Sequence, residues 1–173
     1  MREEFTKSKK ALELTAPVKL QEHHDASEFN SGERAIDDYI KYEALDAQRN
    51  RDAVVYVTCF EGTDKIAGFF TLSTGSVNRR ALPNAKMRRN TPDPVPATLL
   101  GRMGVTKELQ RQGVGTDLLS EALEGAIRAA DQVASRVLIV HLLRDELADW
   151  YGKHGFILCP ELERTMVMTL PKG

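Results

Sequence analysis

Residues 99–130, LLGRMGVTKELQRQGVGTDLLSEALEGAIRAA, constrain the fold more than any other stretch of this chain. An apolar run leads into two glycines two positions apart, Gly113 and Gly115, and then into a helical pattern. Leu118, Leu119, Ala122, Leu123, Ala126, Ile127 and Ala130 fall at helical spacing on one face. The spacing predicts a strand over 99–105, a glycine turn and a helix over 116–130. A helix with one apolar face needs a sheet or another helix to cover it.

The remaining segments supply that sheet. VKLQE reads as a short strand, and Asn30–Gly32 as a turn. After it Ile36, Tyr39, Ile40 and Leu45 give a partly apolar helical face, with Ala35, Ala44 and Ala47 favouring helix. Residues 53–77 are rich in β-branched and aromatic side chains around a Gly62–Asp64 turn, the pattern of a hairpin. Residues 78–98 hold four of the seven prolines and read as one long surface loop. SRVLIVHLL reads as a strand buried on both faces, DELADWYGKHGF as a helix stopped by Gly155, and TMVMTL as a closing strand. The order β, α, ββ, then β–α–β–α–β predicts an α/β fold with a central mixed β-sheet flanked by helices. One domain over residues 18–173 is expected, with a loose tail over 1–17.

Composition matters chiefly for what it excludes. A formal net charge of −1 gives no overall attraction to nucleic acid or membrane, so any electrostatic targeting must come from local clusters. Residues 79–89, RRALPNAKMRR, are such a cluster: Arg79, Arg80, Lys86, Arg88 and Arg89 with no acidic residue among them. They suit a phosphate backbone, or form a solvated loop. Cys59 and Cys159 show no metal-ligand spacing and read as reduced, structural thiols. The longest apolar run, VLIVHLL, is far short of the ~20 residues of a membrane span, and the first residues lack the apolar core of a secretory signal. A cytoplasmic protein without membrane contact or metal is expected.

Glycine lets the main chain approach a ligand closely and adopt positive φ. The N–H groups of residues 111–116, at the start of a helix, can converge on phosphate oxygens. The stretch is not a Walker A loop, because no Lys-Ser/Thr follows Gly115, nor GxGxxG, because Leu118 stands at the third position. Residue chemistry alone leaves a plain turn and a phosphate cradle side by side.

Gln110-x-x-Gly113-x-Gly115 between strand and helix resembles the coenzyme A pyrophosphate loop of the GNAT N-acetyltransferases. DWYGKHGF is similar to that family's aromatic-Tyr-x-x-x-Gly-Phe segment, and the likeness covers roughly residues 53–170. It implies a single GNAT-like domain and acetyl-CoA as cosubstrate. Gln110 would open the loop, and the amides of Arg111, Gln112, Gly113, Val114, Gly115 and Thr116 would hold the pyrophosphate. Met103, Gly104 and Val105 would pair with the pantetheine arm as if with an added strand, and a splay from strand 136–142 would admit the acetyl group. A backbone N–H near Val105 would polarise the carbonyl. Tyr151 would be the proton donor to the leaving thiolate; on spacing alone it is a half-buried helix tyrosine. His141, in an apolar run, reads as a core histidine or a catalytic base, and His154, His23 and His24 as surface residues.

A narrower resemblance covers residues 18–170. FNSGERAIDDYIKYEALDAQ resembles the F-x-C-G-x-x-x-L-D-x-(W/Y)-(L/I) segment of the GNAT toxins of type II toxin–antitoxin pairs, and PVPATLLGRMGV resembles their PVPA-x-L-L-(A/G)-R-(L/M)-(A/G)-V signature. Ser31 stands where cysteine is frequent and Ile36 where leucine is. The resemblance implies acetylation of the α-amine of aminoacyl-tRNA, which blocks translation. It also implies homodimerisation, a ribbon-helix-helix antitoxin, and contact with promoter DNA only through that complex. The absence of a well-placed carboxylate base agrees with such an acceptor. An α-amine, with a pKa of about 7.7–8.0, loses its proton far more readily than a lysine at about 10.4. Arg102 is the signature arginine beside Gly101, expected to line the acceptor cleft or to pair with a carboxylate. The rival readings are a GNAT enzyme acting on a small amine or protein N-terminus, and a non-catalytic repressor or scaffold subunit.

Overall fold

The computed structural model describes residues 13–173. Seven strands, β1 Val18–Lys19, β2 Val54–Cys59, β3 Ile66–Val77, β4 Val95–Val105, β5 Val137–His141, β6 Ile157–Leu158 and β7 Thr165–Thr169, form a mixed sheet in the order β1-β2-β3-β4-β5-β7-β6. β4 and β5 run parallel from Ala97–Val137 to Leu100–Val140, while β1–β2, β5–β7 and β6–β7 are antiparallel. The helices are α1 Arg34–Asp38 and α2 Ala44–Arg49, joined by a π-helical turn at Tyr39–Glu43, then α3 Ala85–Arg88, α4 Val114–Ala130 and α5 Ala148–Lys153. The α/β architecture and mixed sheet expected from the sequence are present.

The chain contacts divide it into two compact units. The first comprises the described residues through Thr71 together with Arg102–Glu121. Its core is built on Phe69, fully buried on β3, which meets Phe29 edge-on at 5.6 Å and stacks on Tyr39 at 6.2 Å. Burying one such side chain contributes about 1.5–3 kcal/mol. Gly104 brings β4 against this cluster: a Cβ there would stand 2.6 Å from Ile36 Cγ2.

The second unit comprises Leu72–Gly101 and Ala122–Gly173. Val137–Val140 are all buried, as a strand hydrogen-bonded to β4 and β7 and covered on both faces must be. Val77, Leu82, Val95 and Val167 complete the core around them.

Several elements differ from the sequence expectation. Residues 78–98 are not one loop: a 3₁₀ turn spans Arg79–Ala81, α3 follows, and β4 already begins at Val95. Buried Ala81, Leu82 and Val95 anchor the segment, and Asn84 caps α3 by accepting the Met87 N–H at 2.9 Å. Pro96 lies inside β4, where its carbonyl accepts the Arg136 N–H at 2.9 Å, so the missing N–H does not prevent pairing. Strand β6 was not expected; two exposed residues are too short a run to show a pattern. Of the expected tail, residues 1–12 lie outside the described residues. Thr15 donates its N–H to Cys59 O at 2.8 Å and accepts the Cys59 N–H on Oγ1 at 3.0 Å, so this part is held along β2. Both cysteines are free and buried. Among the described residues no helix is long and apolar enough to cross a membrane.

Candidate active site

In the first unit, β4 ends on Met103, Gly104 and Val105, and a 3₁₀ turn at Lys107–Leu109 leads into the glycine stretch. Arg111 and Gly113 take positive φ, 62° and 85°. No heavy atom lies within 4 Å of where a Gly113 Cβ would stand, so glycine is needed there for its φ and not for want of space. The first bond of α4 runs from the Asp117 N–H to Gly113 O at 3.0 Å, which leaves the Val114 and Gly115 amides ahead of the helical ladder. These donors, with the positive end of a 17-residue helix behind them, form an anion-binding arrangement.

The side chains of the turn hold its shape. Gln110 Nε2 donates to Ser31 O at 2.7 Å and Val105 O at 2.8 Å, and Gln112 Nε2 to Glu108 O at 2.9 Å. Gln110 is therefore a brace between the end of β4 and the Ser31 loop. Lys107 N–H reinforces it by donating to Asn30 O at 2.8 Å. Ser31 closes the network, its N–H and hydroxyl both donating to Asp37 Oδ1, at 2.8 and 2.7 Å. Sequence reading passed over Asp37; the signal was a serine and an acid six residues apart across a helix start.

Arg102 is exposed on β4, and of its two expected arrangements the pairing with a carboxylate is not found among the described residues. Its guanidinium carbon lies 4.2 Å from the centroid of the buried Tyr39 ring, and it makes no ion pair among the described residues. Its N–H donates to Thr71 Oγ1 at 2.9 Å. Burial pushes the Tyr39 phenol up, against the lowering effect of Arg102.

The second unit carries the basic segment, and its five cations differ. Arg79 Nη1 donates to Thr91 O at 3.0 Å and Arg88 Nη1 to Leu82 O at 2.7 Å, so both guanidinium groups shape the segment. Arg80, Lys86 and Arg89 are exposed, and among the described residues their side chains have no partner.

Tyr151, on α5, packs edge-on against Phe156 at 5.4 Å and Trp150 at 4.9 Å. Gly155, at φ 94°, ends the helix and turns the chain so that the Phe156 N–H donates to Tyr151 O at 3.2 Å. Burial pushes the Tyr151 phenol up to about 12. His141, the last residue of β5, is exposed where the four residues before it are buried, and its Nδ1 lies 3.1 Å from Thr165 Oγ1. His154 Nδ1 lies 2.7 Å from Trp150 O and is its donor. His23 is exposed beside Asp64 at 3.8 Å, and His24 Nδ1 accepts the Gln21 N–H at 2.8 Å.

Residues 51–158 match the family model described as an acetyltransferase (GNAT) domain. A protein of Mycobacterium tuberculosis named "tRNA-acetylating toxin" is 36% identical over 146 residues, covering 84% of this chain and 86% of the relative. The structure of AtaT complexed with acetyl-methionyl-tRNAfMet superimposes with a TM-score of 0.84 at 26% identity, covering 91% of this chain and 95% of that one. Two further AtaT structures are similar. A mutant toxin bound to the C-terminus of the antitoxin AtaR has a TM-score of 0.77 at 25% identity, covering 91% of this chain and 93% of its own. AtaTR bound with AcCoA has 0.78 at 26%, covering 91% and 94%.

Proposed function

This chain belongs to the GNAT acetyltransferase family, and from that premise we propose that it transfers acetyl from acetyl-CoA to the α-amine of aminoacyl-tRNA and so blocks translation. The observation that carries the reading is the braced glycine turn, whose free-standing amides suit a pyrophosphate. The amides of Arg111, Gln112, Gly113, Val114, Gly115 and Thr116 hold the pyrophosphate, and Gln110 keeps the turn rigid. Met103, Gly104 and Val105 offer main-chain groups to the pantetheine arm.

Tyr151 supplies the acid. At about 12 its phenol stays protonated throughout the working range and is a weaker acid than a thiol near 8.5, so complete transfer to a free thiolate runs uphill. The Tyr151 O–H therefore acts on the sulfur as the carbon–sulfur bond breaks, and a proton lost by the amine nitrogen replaces the one given. Hydrogen bonding to developing charge in a water-poor setting is where such a donor lowers the barrier most.

Arg80, Lys86 and Arg89 attract the tRNA backbone, with Arg102 held ready by Tyr39 for a further phosphate. The M. tuberculosis relative's name and the AtaT–tRNA complex support this acceptor. The AtaT–AtaR complex supports an antitoxin partner, for which we propose a ribbon-helix-helix protein that carries the pair to promoter DNA. A homodimer acting in the cytoplasm, where charged tRNA is found, completes the proposal.

The test is transfer of labelled acetyl from acetyl-CoA to a pool of charged tRNA, with Tyr151→Phe alongside. Label on the aminoacyl group of wild type but not of the variant is expected. Wild type that binds acetyl-CoA yet labels only small amines or protein N-termini would replace the acceptor. Binding with no turnover on any amine would leave a non-catalytic subunit.

A further inference from the structure

We propose that Asp37 is a positioning residue for the cofactor: through Ser31 it fixes Gln110, and with Gln110 the turn that receives the pyrophosphate. The proposal rests on the acetyl-transfer reading above, and every residue in it belongs to the first unit. Asp37 is half-buried on α1 and makes no ion pair among the described residues. Its Oδ1 takes two donors from one residue instead, the Ser31 N–H at 2.8 Å and the Ser31 hydroxyl at 2.7 Å. A backbone N–H only donates, so this oxygen is an acceptor. The Ser31 oxygen accepts the Glu33 N–H at 3.1 Å, and its single proton goes to Asp37 as the nearer acceptor, Glu33 O being 3.4 Å away. The direction of each bond is therefore settled, and Asp37 ties the Ser31 loop to α1.

From there the chain of bonds runs to the turn. Ser31 O accepts Gln110 Nε2 at 2.7 Å, and the same nitrogen donates to Val105 O at 2.8 Å. An amide nitrogen has two protons, and both are used. With either carbonyl displaced, the Gln110 amide could swing about the bond that remains. The main chain runs alongside, Lys107 N–H donating to Asn30 O at 2.8 Å and Gly32 N–H to Asn30 Oδ1 at 3.0 Å.

Gln110 directly precedes Arg111, whose φ of 62° a residue with a side chain adopts only at a cost. A turn that begins in this way has to be held by its surroundings. The brace aims the amides before the cofactor arrives, so binding does not have to order them. Loss of the Asp37 acceptor leaves both Ser31 donors to water and frees the loop that carries the Ser31 carbonyl. Affinity for the cofactor falls, while the chemistry of the bound cofactor is untouched.

Asp37→Ala tests this, with acetyl-CoA titrated calorimetrically and turnover followed on charged tRNA. The expected result is a rise of about tenfold in Kd and KM for acetyl-CoA. At saturating acetyl-CoA, kcat and KM for charged tRNA should stay within about threefold of wild type. Asp37→Asn keeps an oxygen that accepts both Ser31 donors and should recover most of the affinity. Gln110→Leu should weaken acetyl-CoA binding to a similar extent, and the double variant should bind no more weakly than the weaker single one, because both changes cut one chain of bonds. A merely structural role would lower the melting temperature and the active fraction without that split or that coupling. A Kd for Asp37→Ala within about threefold of wild type, a fall in kcat in place of the rise in KM, no recovery in Asp37→Asn, or additive losses would each overturn the proposal. Wild type that binds no acetyl-CoA would instead overturn the acetyl-transfer reading.

Discussion

Residues 102–116 and residues 137–169 divide work between main chain and side chain in opposite ways. In the first, the proposed function uses backbone amides at a glycine turn and a strand end, and the side chains of Gln110, Gln112 and Tyr39 hold them or their neighbour Arg102 in place. In the second, the backbone is committed to ladders on both sides of β5, and the proposed function uses the tip of a side chain, the Tyr151 phenol. Substitutions in the first region should therefore change affinity and shape, and those in the second should change rate. The contrast also explains Arg102 and Arg80. One cation is pre-oriented by a ring and the other is free in solvent, although both are exposed arginines.

The contrast breaks most visibly at Tyr151. Tyr151→Phe should lower kcat about 10²- to 10⁴-fold while leaving acetyl-CoA affinity unchanged, measured by turnover and by calorimetric titration. An equal loss of affinity would show that the tyrosine serves binding and that the two regions are not divided as described. Next in size is the basic segment. Replacing Arg80, Lys86 and Arg89 together by alanine should raise KM for charged tRNA about tenfold or more at low salt. The slope of log KM against log salt should fall by about 2–3. Arg79→Ala and Arg88→Ala should instead lower the melting temperature, since their guanidinium groups bond to Thr91 and Leu82 carbonyls.

Two glycines sharpen the comparison within the first region. Gly104→Ala should destabilise the protein by about 1–3 kcal/mol, because its Cβ would meet Ile36. Gly113→Ala has open space and is strained only by φ, at about 1–2 kcal/mol. It should weaken acetyl-CoA binding roughly tenfold with a small change in melting temperature. The smallest effect is spectroscopic. Burial raises the Tyr151 pKa to about 12, above the ordinary phenol value near 10, so the folded state favours the protonated form. Its contribution to stability is complete below about pH 10 and is lost as pH rises through about 12. Wild type and Tyr151→Phe should accordingly show equal phenolate absorbance at about pH 10.

Sequence pattern revealed the glycine turn well, because its backbone conformation leaves marks in composition. Gly113 and Gly115 stand between an apolar strand and an amphipathic helix, and few physical arrangements need that order. The bracing contacts of Gln110 are not legible in the sequence. Its place in the motif is legible, but the two carbonyls it bonds come from residues 5 and 79 positions away. Proline density suggests a loop over residues 78–98. Burial of Ala81, Leu82 and Val95 decided otherwise, and burial belongs to the folded chain.

By itself the sequence determined the α/β order, the glycine turn, the cationic segment and the family, since each rests on neighbours in the chain or on a local period. The folded chain alone sets which cations are free and which ring holds Arg102. Those depend on Thr91 and Tyr39, brought to their partners across 12 and 63 positions. Hydrogen bonds and ring contacts act over a few ångströms of space, and no spacing along the chain encodes them.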